Sequence, residues 1–407
     1  MERKYKKYIY AALAAMTITA VSFSCSKSSD PVAAASSYLY MSTGLCYAGN
    51  GFTPPLPADV GVILSRLNLG SLNYEIVRDY GDLSDEVAGT FANGIVDGGD
   101  GYIYAAVENA TATGNRRIDK IQKTAFGPKT TWFQNSSIFT TALAGVARVS
   151  DGGVMVGTTA GVVRFDSTPT RKEASPGLDW GETHAGACVT NNTRVTALIA
   201  LPAFTGTTVG KYIYAHAAAG QNDIGIIGMN GSIAAADCLA NRAAAAPALT
   251  NAATAIQGWD TTLNATATPT AMVYVATPGG ASTGKLLVAY SDSTINNSAA
   301  SGLHNALVMY DINETSSLLA TLTGGQVLYH DHAYFFGVTA MAFDAATNLL
   351  YVATSNSFNV APVGYNIEKF SIDLTTPGAT RVPNTDMSSF QNANSLNNCV
   401  TGMFVGN

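Results

Sequence analysis

His330-Asp331-His332 places two imidazoles at i and i+2, which on a strand face the same way and could hold a transition metal with a third ligand. The plainer reading of that triplet is a polar loop ahead of Tyr334-Phe335-Phe336. Glu182 and His184 lie in a loop containing glycine, and His216 falls in a strand; all three read as structural groups. Asp97-Gly98-Gly99-Asp100-Gly101 spaces two carboxylates closely enough for a hard cation. No EF-hand spacing accompanies it, and the same position in other repeats is a hairpin turn, which is the reading adopted. No Gly-x-Ser-x-Gly elbow, Walker loop or His-Glu-x-x-His occurs, so no catalytic residue is assigned. No cofactor is expected; a divalent metal at His330 and His332 is the single candidate.

Composition narrows the chemistry further. The 407 residues carry 22 Lys and Arg against 28 Asp and Glu, with no basic cluster in the body, which excludes a nucleic-acid partner. The basic residues Arg3, Lys4, Lys6 and Lys7 precede an apolar run over residues 9–21, the pattern of a signal peptide spanning residues 1–24. Cys25 follows Ser22-Phe23-Ser24, and a polar stretch over residues 25–37 reads as a tether. This arrangement resembles the signal of a bacterial lipoprotein. The resemblance implies that Cys25 is acylated and that the acyl chains hold the protein in a membrane. Ser26 and Lys27 lack the Asp that favours inner-membrane retention, so the resemblance implies the outer membrane, with either face open.

The elements that must position these residues are strands. Segments 338–344, 349–354 and 365–373 read as strand, tight turn, strand, longer loop, strand. The same grammar recurs at 93–97, 101–106 and 117–121; at 144–149, 154–158 and 161–166; at 195–200, 211–215 and 224–228; and at 271–275, 285–290 and 306–311. Repeats of this kind predict an all-β fold, a β-propeller of about six, or seven, four-stranded blades over residues 38–407. The stretch 238–270, rich in Ala, Thr and Asn, reads as a blade edge plus a loop. Residues 400–404 match the first strand of a repeat, while 38–41 and 62–67 match the second and third. One blade is therefore expected to be split between the ends of the chain, the ring closing by pairing of its N- and C-terminal strands.

Export makes disulfides available to Cys46, Cys188, Cys238 and Cys399, which allow three pairings. The split blade sets Cys399 beside the strand leading to Cys46. The expected bridges are Cys46–Cys399 and Cys188–Cys238.

The hairpin over residues 343–354, with Asp344 at the turn before Leu350-Tyr351-Val352-Ala353, resembles that of the YncE/NHL/lactonase-like propeller superfamily. Related hairpins at 97–105 and 151–157 extend the likeness over most of residues 38–407. The superfamily includes binding proteins and enzymes, so two functions follow. The first is an exported, membrane-anchored, non-catalytic scaffold that presents loops 50–60, 205–210, 292–302 and 356–364 to a protein or glycan partner in the cell envelope or outside it. The alternative is a lactonase-like or other hydrolase with its site at the mouth of a central channel. The binding function is preferred, because an enzyme would have to bring His and carboxylates from several blades together and the chain has five His.

Overall fold

Alternation of Val, Ile, Tyr and Ala with Gly, Asn and Asp turns produces short antiparallel strands, as β-branched and aromatic residues fit a pleated, half-buried surface. The computed structural model describes residues 37–45, 62–82, 84–109, 112–148, 152–159, 161–172, 194–202, 211–218, 221–229, 238–242, 250–251, 267–277, 283–291, 305–314, 320–330, 334–335, 337–355, 365–383 and 398–407. Residues 38–406 form one unit. Among the described residues there is no α-helix, only a 3-10 turn at Thr113–Asn115.

The first strands are β1 (Tyr38–Leu45), β2 (Ile63–Asn68) and β3 (Tyr74–Asp79). A four-stranded antiparallel sheet follows in chain order: β4 (Thr90–Asp97), β5 (Tyr102–Asn109), β6 (Arg117–Gln122) and β7 (Lys129–Gln134). The pattern repeats in β8 (Leu143–Arg148), β9 (Val154–Thr158), β10 (Gly161–Phe165) and β11 (Arg171–Lys172). It repeats again in β12 (Arg194–Ala200), β13 (Lys211–Ala218), β14 (Gln221–Met229) and β15 (Cys238–Arg242). The two-residue β16 (Thr250–Asn251) precedes β17 (Thr268–Ala276), β18 (Thr283–Ser291), β19 (Ala306–Glu314) and β20 (Ala320–Tyr329). Then come β21 (Val338–Asp344), β22 (Leu349–Ser355), β23 (Tyr365–Asp373) and β24 (Gly378–Val382), and lastly β25 (Asn398–Gly406).

β25 pairs antiparallel with β1, from Tyr38 opposite Gly406 to Leu45 opposite Asn398, and the sheet order is β25-β1-β2-β3. The architecture is a β-propeller. One expectation needs correction: among the described residues five sheets have four strands, rather than six or seven. The remaining sheet has five, because β16 pairs in parallel with the outer edge of β20, Thr250 opposite Gln326. The ambiguous stretch 238–270 thus supplies edge strands to two sheets.

The core is divided among the faces between neighbouring sheets. Tyr40, Leu64, Phe91, Ile103 and Val107 fill one such layer, between β25-β1-β2-β3 and β4–β7. Phe139, Val156 and Phe165 pack against Tyr104 and Ile118 in the next. Each blade buries its apolar side chains only against a neighbour, so no sheet is independently stable.

Candidate functional site

Strands β4, β8, β12, β17, β21 and β25 lie innermost, and together they line a channel with a volume of about 450 Å³. Each carries a β-bulge at the same place. The extra residues are Asn93, Ala144, Thr196, Thr270, Thr339 and Thr401. The residue after the bulge is always small: Gly94, Gly145, Ala197, Ala271, Ala340 or Gly402. The reason is proximity, since a Cβ on Gly94 would lie 2.7 Å from the Gly145 Cα, and one on Gly402 would lie 2.6 Å from the Ile95 N. Gly94 and Gly145 also have φ of 127° and 150°.

The bulges also latch the sheets together. Thr401 Oγ1 donates to Ala92 O at 2.5 Å, Asn93 Nδ2 donates to Leu143 O, and Thr196 Oγ1 donates to Pro269 O at 2.5 Å. In each case the acceptor is the carbonyl immediately before the next sheet's bulge. The register departs from this rule at three positions. Ala144 has no donor, Thr270 Oγ1 reaches Ala289 O of its own sheet at 3.4 Å, and the buried Thr339 Oγ1 has no hydrogen-bond partner. This inlet end of the channel is therefore built of hydroxyls, glycine and alanine, and at the bulge positions its side-chain polar atoms other than Thr339 Oγ1 are spent on structure.

Four residues further along each strand lies the outlet, formed by Asp97, Arg148, Ala200, Tyr274, Phe343 and Val405, all of which line the channel. Two of the six are charged, and both belong to a larger ionic cluster. Asp97 Oδ1 accepts the Gly99 amide at 2.8 Å, closing the β4–β5 hairpin, and its Oδ2 accepts Lys123 Nζ at 2.7 Å. Asp100 Oδ2 accepts Lys120 Nζ at 2.9 Å and the Tyr104 hydroxyl at 3.2 Å. Burial pushes the Asp100 carboxyl up, yet Lys120, Arg148 and Tyr104 outweigh it and hold the group below the usual carboxylate range. Burial likewise pulls Lys120 down, while Asp100 and Tyr104 more than compensate and raise it. Both stay ionised at neutral pH. The Lys120 ammonium lies 4.3 Å from the Tyr102 ring centroid, and the Arg148 guanidinium 4.7 Å from that of Tyr104.

A second ionic cluster lies away from the channel, in the β4–β7 sheet, the loop before it and β3 of the neighbouring sheet. Glu86, with 2% of its side chain exposed, binds Arg78 at 2.8 Å, Arg117 at 2.6 Å and Lys129. Burial opposes its ionisation, but Lys129, Arg78 and Arg117 prevail and lower its pKa. Asp119 takes Arg117 Nε at 2.8 Å, and there burial dominates and raises the carboxyl. Glu108, bound to Arg116 and to the Leu143 amide, is also pushed up by burial. These groups clamp loops and blades, and none lines the channel.

The candidates named from the sequence are dispersed. His330 directly follows β20 and is half-buried, while Asp331 and His332 lie outside the described residues, as do Glu182, His184, Cys25, Cys46 and Cys188. His216 lies in β13 opposite Val195, and Cys238 opens β15 opposite Met229; of neither side chain is more described. Cys399 is buried in β25. Asp97 and Asp100 occupy the hairpin turn, each bound to a lysine. Among the described residues no three His, Cys, Asp or Glu side chains converge on a metal position. Arg148 was missed in the sequence. The signal that locates it is its offset of four from Ala144, equal to that of Asp97 from Asn93, which becomes visible only when the bulges are aligned.

No protein-family model matches the chain, and no curated protein matches it significantly. Solved structures do show a likeness. The major allergen Mala s 1 of Malassezia sympodialis is 10% identical with a TM-score of 0.44, the match covering 72% of this chain and 80% of that one. A GH74 enzyme of Niastella koreensis is 15% identical with a TM-score of 0.42, over 79% of this chain and 42% of that one. A provisionally assigned gluconolactonase is 11% identical with a TM-score of 0.33, over 81% and 89%. At these values the likenesses carry no argument about activity, and the topology of the chain itself is what makes it a member of the β-propellers.

Proposed function

We propose that this protein is an exported, lipid-anchored binding propeller rather than a hydrolase. Six blades closed into a ring by β1 and β25 provide the rigid support, and partners dock at its loops and at the channel mouth. The observation that carries the non-catalytic reading is the pairing at the outlet. An acid–base mechanism needs a group that exchanges a proton near the working pH. Asp97 and Asp100 are each bound to a lysine, and the pKa of Asp100 is displaced away from neutrality. The inlet hydroxyls are engaged in latches or lie beside glycine and alanine, without a neighbouring base.

A panel of γ- and δ-lactones with the purified protein tests this reading, alongside a glycan array. Saturable glycan or protein binding without turnover is expected. Lactone hydrolysis that disappears in Asp100→Asn would establish the hydrolase instead. Anchoring is tested separately: labelled fatty acid should enter the outer-membrane protein and be lost in Cys25→Ser. The proposed Cys46–Cys399 bridge is supported by the β1–β25 register, in which Cys399 stands opposite Gly44, two residues before Cys46. Non-reducing peptide mapping that joined Cys399 to Cys188 or Cys238 would overturn it.

A further inference from the structure

Arg148 pairs electrostatically with Asp100 and stacks over Tyr104, yet it is the outlet group whose hydrogen-bonding capacity the fold leaves unused. It is the last residue of β8, with 16% of its side chain exposed, and it lines the channel. Its closest acid, Asp100, is 3.6 Å from Nη2, beyond hydrogen-bond distance, and the same Oδ2 already accepts from Lys120 and Tyr104. The buried Nε has no acceptor. An arginine has five N–H donors in a planar fork and normally satisfies them when withdrawn from water. Around it, Asp97 is neutralised by Lys123 and Asp100 by Lys120. Three cations thus face two carboxylates, and the excess positive charge rests at Arg148 in a chain whose net charge is −6.

The rest of the outlet is of opposite character. Ala200, Tyr274, Phe343 and Val405 hold the equivalent positions on β12, β17, β21 and β25, with Val146 and Met272 among the residues further in. A channel of about 450 Å³, with threonines at the inlet, apolar side chains over much of the outlet and Arg148 as its cationic group, has the size of a small-ligand site. We propose that the channel outlet binds a small organic monocarboxylate, the Arg148 guanidinium receiving the carboxylate and the apolar walls taking the aliphatic or aromatic body. A phosphate dianion fits less well, since it would require more donors and charge than one guanidinium flanked by two carboxylates supplies. For its use in the cell the proposal rests on the binding reading above; its geometry does not depend on that reading.

The test is a titration of the full-length protein with hexanoate, hexanamide and inorganic phosphate, followed by calorimetry or by NMR of the ligand. Saturable binding of hexanoate is expected, with hexanamide and phosphate at least about tenfold weaker, because a charge-assisted pair is lost or mismatched. Arg148→Gln should weaken hexanoate binding by about tenfold or more. Asp100→Asn should strengthen it, since one competing negative charge is removed, and a folding defect could not produce that gain. Hexanoate binding that is absent, equalled by phosphate, or unchanged in both variants would overturn the proposal. Failure here with no lactone turnover leaves the binding function standing; lactone turnover with hexanoate bound at Arg148 refutes that function and keeps the site.

Discussion

Replacing the inlet threonines one at a time by valine separates hydrogen bonding from packing, because the two side chains have nearly the same shape. Thr401 Oγ1 donates to Ala92 O at 2.5 Å and lies 3.0 Å from Ser42 Oγ, so Thr401→Val leaves both an interblade carbonyl and a partly buried hydroxyl short of a partner. That should cost about 1–3 kcal/mol, the usual penalty for orphaning a buried polar group. With an unfolding entropy of roughly 2.1 cal/mol/K per residue, a domain of this size responds by about 1.3 °C per kcal/mol, so Tm should fall by about 1–4 °C. Thr196→Val should behave alike, its bond to Pro269 O being equally short. Thr339→Val should not, because its buried hydroxyl has no partner to lose. Removing it relieves an unpaired polar atom, and the change in stability should be near zero or favourable by up to about 1 kcal/mol. The assay is urea unfolding and scanning calorimetry on the three variants side by side. Equal losses at Thr339 and Thr401 would refute the reasoning, since the experiment would then be measuring local packing or strand preference rather than the latch.

Three further outcomes are expected. Ala144→Thr supplies the donor missing between β8 and β12 and should stabilise the protein by about 0.5–1.5 kcal/mol, seen as a raised urea midpoint with unchanged m. Glu86→Gln breaks a buried carboxylate held by three cations and should cost about 3–5 kcal/mol at neutral pH. The folded Glu86 pKa lies below its ordinary 4.5, so its contribution is present above that value and lost as pH falls through the lowered one. The gap between wild type and variant in urea titrations should close on acidification. Glu108 works in the opposite sense. Burial raises its carboxyl above 4.5, so its contribution is full below that value and declines as pH rises through the raised one. Glu108→Gln should therefore flatten the pH dependence of stability just above 4.5, as measured by chemical denaturation across that range.

The inner three strands of most blades were legible in the sequence because their alternation is strong and their turns carry Gly, Asp or Asn. Segments 338–344, 349–354 and 365–373 coincide with β21, β22 and β23 to within one residue. The outermost strands were not legible. β7 (Lys-Thr-Thr-Trp-Phe-Gln) and β24 (Gly-Ala-Thr-Arg-Val) are half-exposed edges with little alternation, and the two-residue β11 and β16 carry no periodic signal at all. The outlet cluster was half legible. Asp97 and Asp100 stood out as neighbouring carboxylates, but Lys120 and Lys123 join them from β6 and the turn after it, and Arg148 from the next sheet. Those three look like ordinary surface charges until the strands are aligned by their bulges.

The sharing of one sheet between β25 and β1 to β3 has a bearing on biogenesis. Local hairpins can assemble as the polypeptide is made, but this seam joins segments about 360 residues apart, Tyr38 standing opposite Gly406. Until the last strand emerges, β1 presents a vacant backbone edge and the nascent product is open to self-association. A chaperone holdase would be most needed in that interval, and truncations that remove β25 should accumulate as aggregates rather than as a smaller soluble protein.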